Sequence, residues 1–318
     1  MRTTRVSKDK GELEYGVFKD KLLYLLEATA NKLEREWPPR YQRVDSASIM
    51  FFQIFRNAIN TYNTIFYICP DIPKDPDRRP IYALSLPPLT RTLFEQLVMF
   101  LFLLVDIPNF VPYLFRTGYT ELRIELNHCV KYHGADKNWK PYIKHLRQRI
   151  ADYEKTYKLS SREIANPVKT IGRGPTPGGL LRLLKDNRPR AKVIPFIEYL
   201  NSWLYRELSG QTHLNILEPA GKGAFFSVEQ SKAMFGHDWE TTRKDELEQY
   251  RQKQIIVAIT IVLAMATEIE LHFNFQQREK VMFLWTILKE YSDMTKDFWD
   301  ARYSALLTQV DHAERMGR

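Results

Sequence analysis

The sequence predicts an all-α protein, a multi-helix bundle of roughly eight to ten helices with no significant sheet. Three observations carry this. Apolar residues recur at spacings of three and four along most of the 318-residue chain, the period of a helix with one buried face. Runs that alternate with a period of two, the mark of a half-buried strand, are nearly absent. The 17 Pro and 13 Gly cluster between the periodic stretches, where they punctuate helices. A hydrophobic fraction of 44% is enough for a sizeable core.

The elements follow in order. Residues 12–36 carry Leu13, Val17, Leu22, Leu25, Leu26, Ala30 and Leu33 in helical rhythm, and Pro38-Pro39 stops them. Asp45 or Ser46 can cap a second helix running to Cys69, after which Pro70, Pro73, Pro76 and Pro80 force an extended connection. A third helix opens after Pro87-Pro88 and is apolar on every side in its second half, so it belongs at the centre of the core. Arg91 and Glu95, four apart on it, are placed to pair on one face. A fourth helix runs from near Pro108 to Gly134 and includes Arg123 and His128. Five positions apart, these two point about 140° away from each other.

Residues 137–158 read as a basic amphipathic helix whose aromatics, Trp139, Tyr142 and Tyr153, alternate with Lys and Arg, the combination that base stacking with phosphate contact requires. Asn166 to Gly179 reads as the one long loop, glycine-rich but without the Gly-Lys-Ser/Thr ending of a P-loop. A short basic helix ends at Pro189, and another begins near Pro195 and should end at Gly210. Beyond a loop, two long helices are expected over 241–275 and 278–312, the first containing the apolar run Ile255 to Thr267. The chain reads as one helical domain over 1–318. Its N-terminal helices span 1–160, a basic loop and short helix 161–192, and the remaining helices 193–318.

Composition narrows the function classes. The only cysteines, Cys69 and Cys129, sit in no metal-ligand spacing, so neither a zinc site nor a disulfide framework is expected. Glu268 and His272 are four apart, but no second such pair completes a helical metal site, and no metal or cofactor is expected. The charged N-terminus does not resemble a signal peptide. The longest uninterrupted apolar run, about thirteen residues, falls short of the roughly 20 that span a bilayer. A cytoplasmic protein without membrane contact is expected.

The net charge of +9 is concentrated. Lys137 to Lys192 holds fifteen Lys or Arg against four Asp or Glu, a net of +11 that leaves about −2 for everything else. RNA or another polyanion is the partner this implies, and Lys169, Arg173, Arg182, Lys185, Arg188, Arg190 and Lys192 are the candidate contacts.

The stretch richest in reactive side chains is Tyr199 to Asn215, with Arg206, Ser209 and His213 beside the expected break. On an unbroken helix Arg206 and His213 lie on nearly one face but roughly 10 Å apart, so a bend at Gly210 is needed to bring them onto one atom. Histidine near neutral pH can take a proton from a ribose 2′-hydroxyl. Arginine can hold a developing phosphorane through two hydrogen bonds, and Ser209 or Tyr205 can orient the phosphate. The pairs Arg91 with Glu95 and Arg123 with His128 are secondary candidates.

Arg206 to His213, R-E-L-S-G-Q-T-H, resembles the motif of the HEPN superfamily, helical domains in which an Arg is followed after four to six residues by a His. Members often place Asn, Asp or His directly after the Arg, where this chain has Glu207. Arg91 to Glu95 together with the downstream Y-R-E-L-S-G-Q-T-H is also similar to a bacterial helical family met among phage-defence genes. The HEPN resemblance implies metal-independent RNA cleavage by a toxin or antiviral effector, with the site completed across a homodimer and a protein partner in a defence system. The competing class is a non-catalytic helical module that binds nucleic acid or protein.

Overall fold

The structure, a computed structural model, describes residues 12–44, 46–68, 83–205, 208 and 228–307. Among them no strand occurs, as the period-three-to-four patterning requires. Thirteen α-helices and one π-helical turn are described, more than the eight to ten expected. In order these are α1 (Glu12–Arg35), α2 (Ala47–Ile68), α3 (Pro87–Val105), α4 (Ile107–His133), α5 (Lys140–Thr156), α6 (Ser161–Ala165), α7 (Pro167–Thr170), α8 (Pro177–Asn187) and α9 (Ile194–Leu200). After the π turn (Asn201–Tyr205) come α10 (Val228–Phe235), α11 (Trp239–Phe273), α12 (Arg278–Tyr291) and α13 (Asp293–Asp300).

The surplus has local causes. The stretch read as one loop, 166–179, holds the single turn α7 and the start of α8. Pro167 and Pro177 occupy first-turn positions, where the missing N–H costs nothing, and Thr176 caps α8 by accepting from the Gly179 N–H at 3.2 Å. The turn before it is fixed by a capping box, in which Ser160 and Glu163 satisfy each other's backbone. The last long helix divides at Ser292, whose extended backbone (φ −157°, ψ 133°) lets Thr295 bond back to the Leu288 and Ser292 carbonyls.

The main core is built on α11. It packs against α1, α2, α3 and α12, and every residue from Val257 to Glu270 is buried. Short polar links tie it to its neighbours where two buried groups satisfy each other. Thr90 Oγ1 donates to Gln254 Oε1 at 2.8 Å, and Trp285 Nε1 donates to Thr267 Oγ1 at 2.9 Å. α11 ends at Asn274, in the left-handed region at φ 56°. By length and composition α3 and α11 are both apolar enough to cross a membrane, and 56% and 83% of their most apolar stretches are buried here against other helices. A count of uninterrupted apolar residues misses this, because Thr and Glu interrupt both helices.

α4 belongs to two cores. Its first half, through Ile107, Phe110, Val111 and Leu114, closes the main one. Its second half projects, pairs with α5, and builds a separate small cluster from Tyr119, Leu122, Cys129, Ile143, Leu146, Ile150 and Leu159. At about 1.5 Å per residue, the 27 residues of α4 make a strut about 40 Å long.

Candidate functional site

α9 approaches the motif with Ile194, Phe196, Ile197 and Leu200 buried in the main core. It continues not as α-helix, as the sequence reading has it, but as the π turn. The wider i→i+5 turn rotates everything after it relative to an uninterrupted helix, a distortion that recurs at functional positions. Within it the carboxamide N and O of Asn201 are buried without a hydrogen-bond partner among the described residues, a loss that ordinarily costs about 1–3 kcal/mol.

The turn ends on Tyr205, which docks against α3. Its ring lies 5.5 Å from that of Phe94, and the Arg91 guanidinium sits 5.4 Å from the ring centre, within cation–π range. Arg91 Nη2 also donates to the Tyr205 hydroxyl at 3.4 Å, while its Nε donates to Glu95 Oε1 at 2.9 Å. Three secondary candidates from distant parts of the sequence thus form one cluster, immediately before Arg206. The Arg91 side chain is only 19% exposed, so its charge is partly desolvated and the Glu95 partner offsets that cost. Arg206, Ser209 and His213 lie outside the described residues, as does the expected break at Gly210.

Arg123 and His128 are not brought together. Arg123 Nη1 lies 3.3 Å from the Tyr119 hydroxyl and 3.4 Å from Glu154 Oε1, and Tyr119 itself donates to Glu154 at 2.7 Å. Burial, and then the bond to Glu154, push the Tyr119 hydroxyl up to about 12, so it remains a donor at neutral pH. His128 is exposed and packs its ring on Tyr132, 4.7 Å between centres.

No family model, characterised protein or solved structure matches the chain.

The seven candidate polyanion contacts, Lys169, Arg173, Arg182, Lys185, Arg188, Arg190 and Lys192, are all exposed. Two have acidic neighbours that a charge count along the sequence does not reveal: Lys185 pairs with Glu198 at 2.5 Å, and Arg188 pairs with Asp106. The other five have no carboxylate within ion-pair distance among the described residues. Glu268 and His272 do not share a site. Glu268 is held by Arg302, and His272 Nε2 lies 2.7 Å from the Tyr41 hydroxyl. Burial, followed by the nearby Arg40 charge, lowers the His272 pKa to about 4 against a smaller opposing pull from Glu268. Cys129 is a buried free thiol, and Cys69 lies outside the described residues.

The sequence reading named Trp139, Tyr142 and Tyr153 but missed the rings of α4 that join Trp139 and Tyr142 in one aromatic surface at the end of the α4–α5 arm. Of the rings noted on α5, Tyr153 turns inward and bonds the Phe115 carbonyl at 3.0 Å, whereas Tyr142 faces solvent. Tyr132, on α4, joins the exposed group, and the half-buried His133 beside it stacks on Trp139. The available signal was the Y-H-G-A-D-K-N-W segment, whose aromatics flank a turn and so come together on one end of a hairpin.

Proposed function

We propose that this chain is a metal-independent endoribonuclease, a HEPN-like toxin or antiviral effector acting in the cytoplasm as a homodimer. The reaction needs no group beyond side chains and the RNA itself. His213 takes the proton of the ribose 2′-hydroxyl, the 2′-oxygen attacks phosphorus, and the bond to the 5′-oxygen breaks, leaving a 2′,3′-cyclic phosphate. The 5′-oxygen departs as an alcohol with a proton returned by the imidazolium or by water. Arg206 stabilises the charge gathered on the phosphorane oxygens, and Ser209 and Tyr205 orient the phosphate.

The observation that carries this reading is the anchoring of Tyr205 by Arg91 and Glu95 one residue before Arg206. A catalytic arginine needs a fixed chain entry, because small misplacements are costly to rate, and the cluster supplies one together with a second cation. The exposed basic surface over 169–192 supplies attraction for phosphate.

The test is incubation of the purified chain with end-labelled RNA in chelator, with analysis of the product ends. Cyclic phosphate ends that vanish in His213→Ala, with helicity unchanged, support the proposal. RNA that stays intact while still bound favours the non-catalytic binding module. A strictly monomeric mass by light scattering, with full activity at that concentration, removes the shared two-fold cleft.

A further inference from the structure

We infer that the tip of the α4–α5 arm is a stacking platform for the unpaired bases of a single-stranded nucleic acid. Five rings run across it. His128 lies 4.7 Å from Tyr132 and 6.5 Å from His133; His133 lies parallel to Trp139 at 4.1 Å and 10°; Trp139 meets Tyr142 edge-on at 5.9 Å. Trp139 packs against the arm's small core, but that core does not account for the exposed rings of His128, Tyr132 and Tyr142. That core is filled by the aliphatic face of α5, Ile143, Leu146 and Ile150, while Tyr132 and Tyr142 remain 59% and 40% exposed. Exposed aromatic faces on a helix hairpin are a cost in water unless something stacks on them.

Charge selects the occupant. Between Glu125 and Arg149 the chain carries Lys131, Lys137, Lys140, Lys144, Arg147 and Arg149 against two acids, Asp136 and Glu125, a net of +4, and the Glu125 carboxylate accepts from the Tyr142 hydroxyl. All six cations are exposed, and none lies within ion-pair distance of a carboxylate among the described residues. Asp136 is already engaged, for its Oδ1 accepts from the Asn138 N–H at 2.8 Å and its carbonyl from the Trp139 N–H at 3.2 Å. Those bonds fix the turn that presents Trp139. Gly134 lets the chain leave α4 tightly enough, since a Cβ there would sit 2.5 Å from the Val130 carbonyl oxygen. Phosphates suit the cations and π-faces suit the rings, and only an unpaired strand offers both, because duplex bases turn their faces to one another. The inference rests on the nuclease reading only for the choice of RNA over DNA.

Fluorescence anisotropy of the full chain in the His213→Ala background tests it, with a labelled 12-nucleotide RNA, the same sequence in DNA, and the RNA as a duplex. Tyr132→Ala with Tyr142→Ala should weaken single-strand binding about tenfold or more. The corresponding pair of Phe substitutions should stay within about twofold, which separates loss of the rings from misfolding. Reversing Lys131, Lys137, Lys140 and Lys144 to Glu should lower the slope of log affinity against log salt by about 3, at about 0.7 per phosphate contact. Equal affinity in the Ala pair, or a duplex bound as tightly as the strand, overturns the inference. So does binding of acidic protein in place of any nucleic acid. A strand bound through Tyr132 and Tyr142 but never cut by the His213 form leaves the platform standing and removes the nuclease. RNA cut with unchanged affinity in the Ala pair does the reverse.

Discussion

Replacing Arg302 with Met is expected to unfold part of this protein's margin of stability from a single buried contact. Glu268 lies within the buried span of α11 with its side chain 5% exposed, and Arg302, just beyond α13, is 12% exposed. The guanidinium holds the carboxylate at both oxygens, with Nη2 at 2.8 Å from Oε2 and Nε on Oε1, and its carbon lies 5.4 Å from the Phe196 ring on α9. Burial works to lower the Arg302 pKa, but the Glu268 charge and hydrogen bonds outweigh it and hold it above its ordinary range. Removing the cation leaves an uncompensated buried carboxylate, a loss of about 3–5 kcal/mol. With an unfolding entropy of about 2.1 cal/mol/K per residue, the 318-residue chain should lose about 5–7 °C in Tm. Glu268→Leu combined with Arg302→Met should recover most of that, since a buried pair and an apolar replacement are often equivalent. Arg302→Lys should fall between, for an ammonium cannot make the two-point contact. The readout is thermal and urea unfolding across the four proteins. A single variant within about 1 °C of wild type, or a double variant less stable than both singles, refutes the reasoning.

Three further outcomes are expected. Because the folded pKa of His272, about 4, lies below its ordinary 6.5, the unfolded chain takes up the proton first. Stability is then full above about pH 6.5 and falls as pH drops toward 4, by about 2 kcal/mol at pH 5. Urea midpoints at pH 7 and pH 5 should show that slope, and His272→Gln should flatten it. Arg91→Ala should cut RNA turnover about tenfold or more without loss of helicity, because it frees the Tyr205 ring; unchanged turnover separates this cluster from the chemistry. Reversal of Arg173, Arg182, Arg190 and Lys192 should weaken polyanion binding more than reversal of Lys185 and Arg188, whose charges Glu198 and Asp106 already offset. An equal effect on the salt slope from the two sets contradicts this.

What could be read from the sequence was what depends on near neighbours. Periodicity located the buried run of α11, and a spacing of four paired Arg91 with Glu95. The break at Ser292 depends on where the Thr295 hydroxyl finds its acceptors, which spacing along the chain does not announce. The π turn over Asn201–Tyr205 has no compositional signature, because the same side chains suit an ordinary helix. Contacts across the chain were out of reach altogether: Arg91 meets Tyr205, and Arg188 meets Asp106, only once the bundle has closed. Net charge along the chain therefore overstated the segment around Lys185, where Glu198 and Asp106 offset two of the cations.

The arm's separate core has a consequence for how the molecule comes apart. Seven buried residues hold α5 against α4, whereas the main cluster is continuous through α1, α2, α3, α11 and α12. Two pools of buried surface joined mainly through α4 and the stacked rings of Phe115 and Tyr157 need not melt together, and the smaller should open at lower free energy as its own cooperative unit. Amides of α5 should then exchange with solvent deuterium well before those of α11. Opening of that unit leaves the helices that position Tyr205 closed.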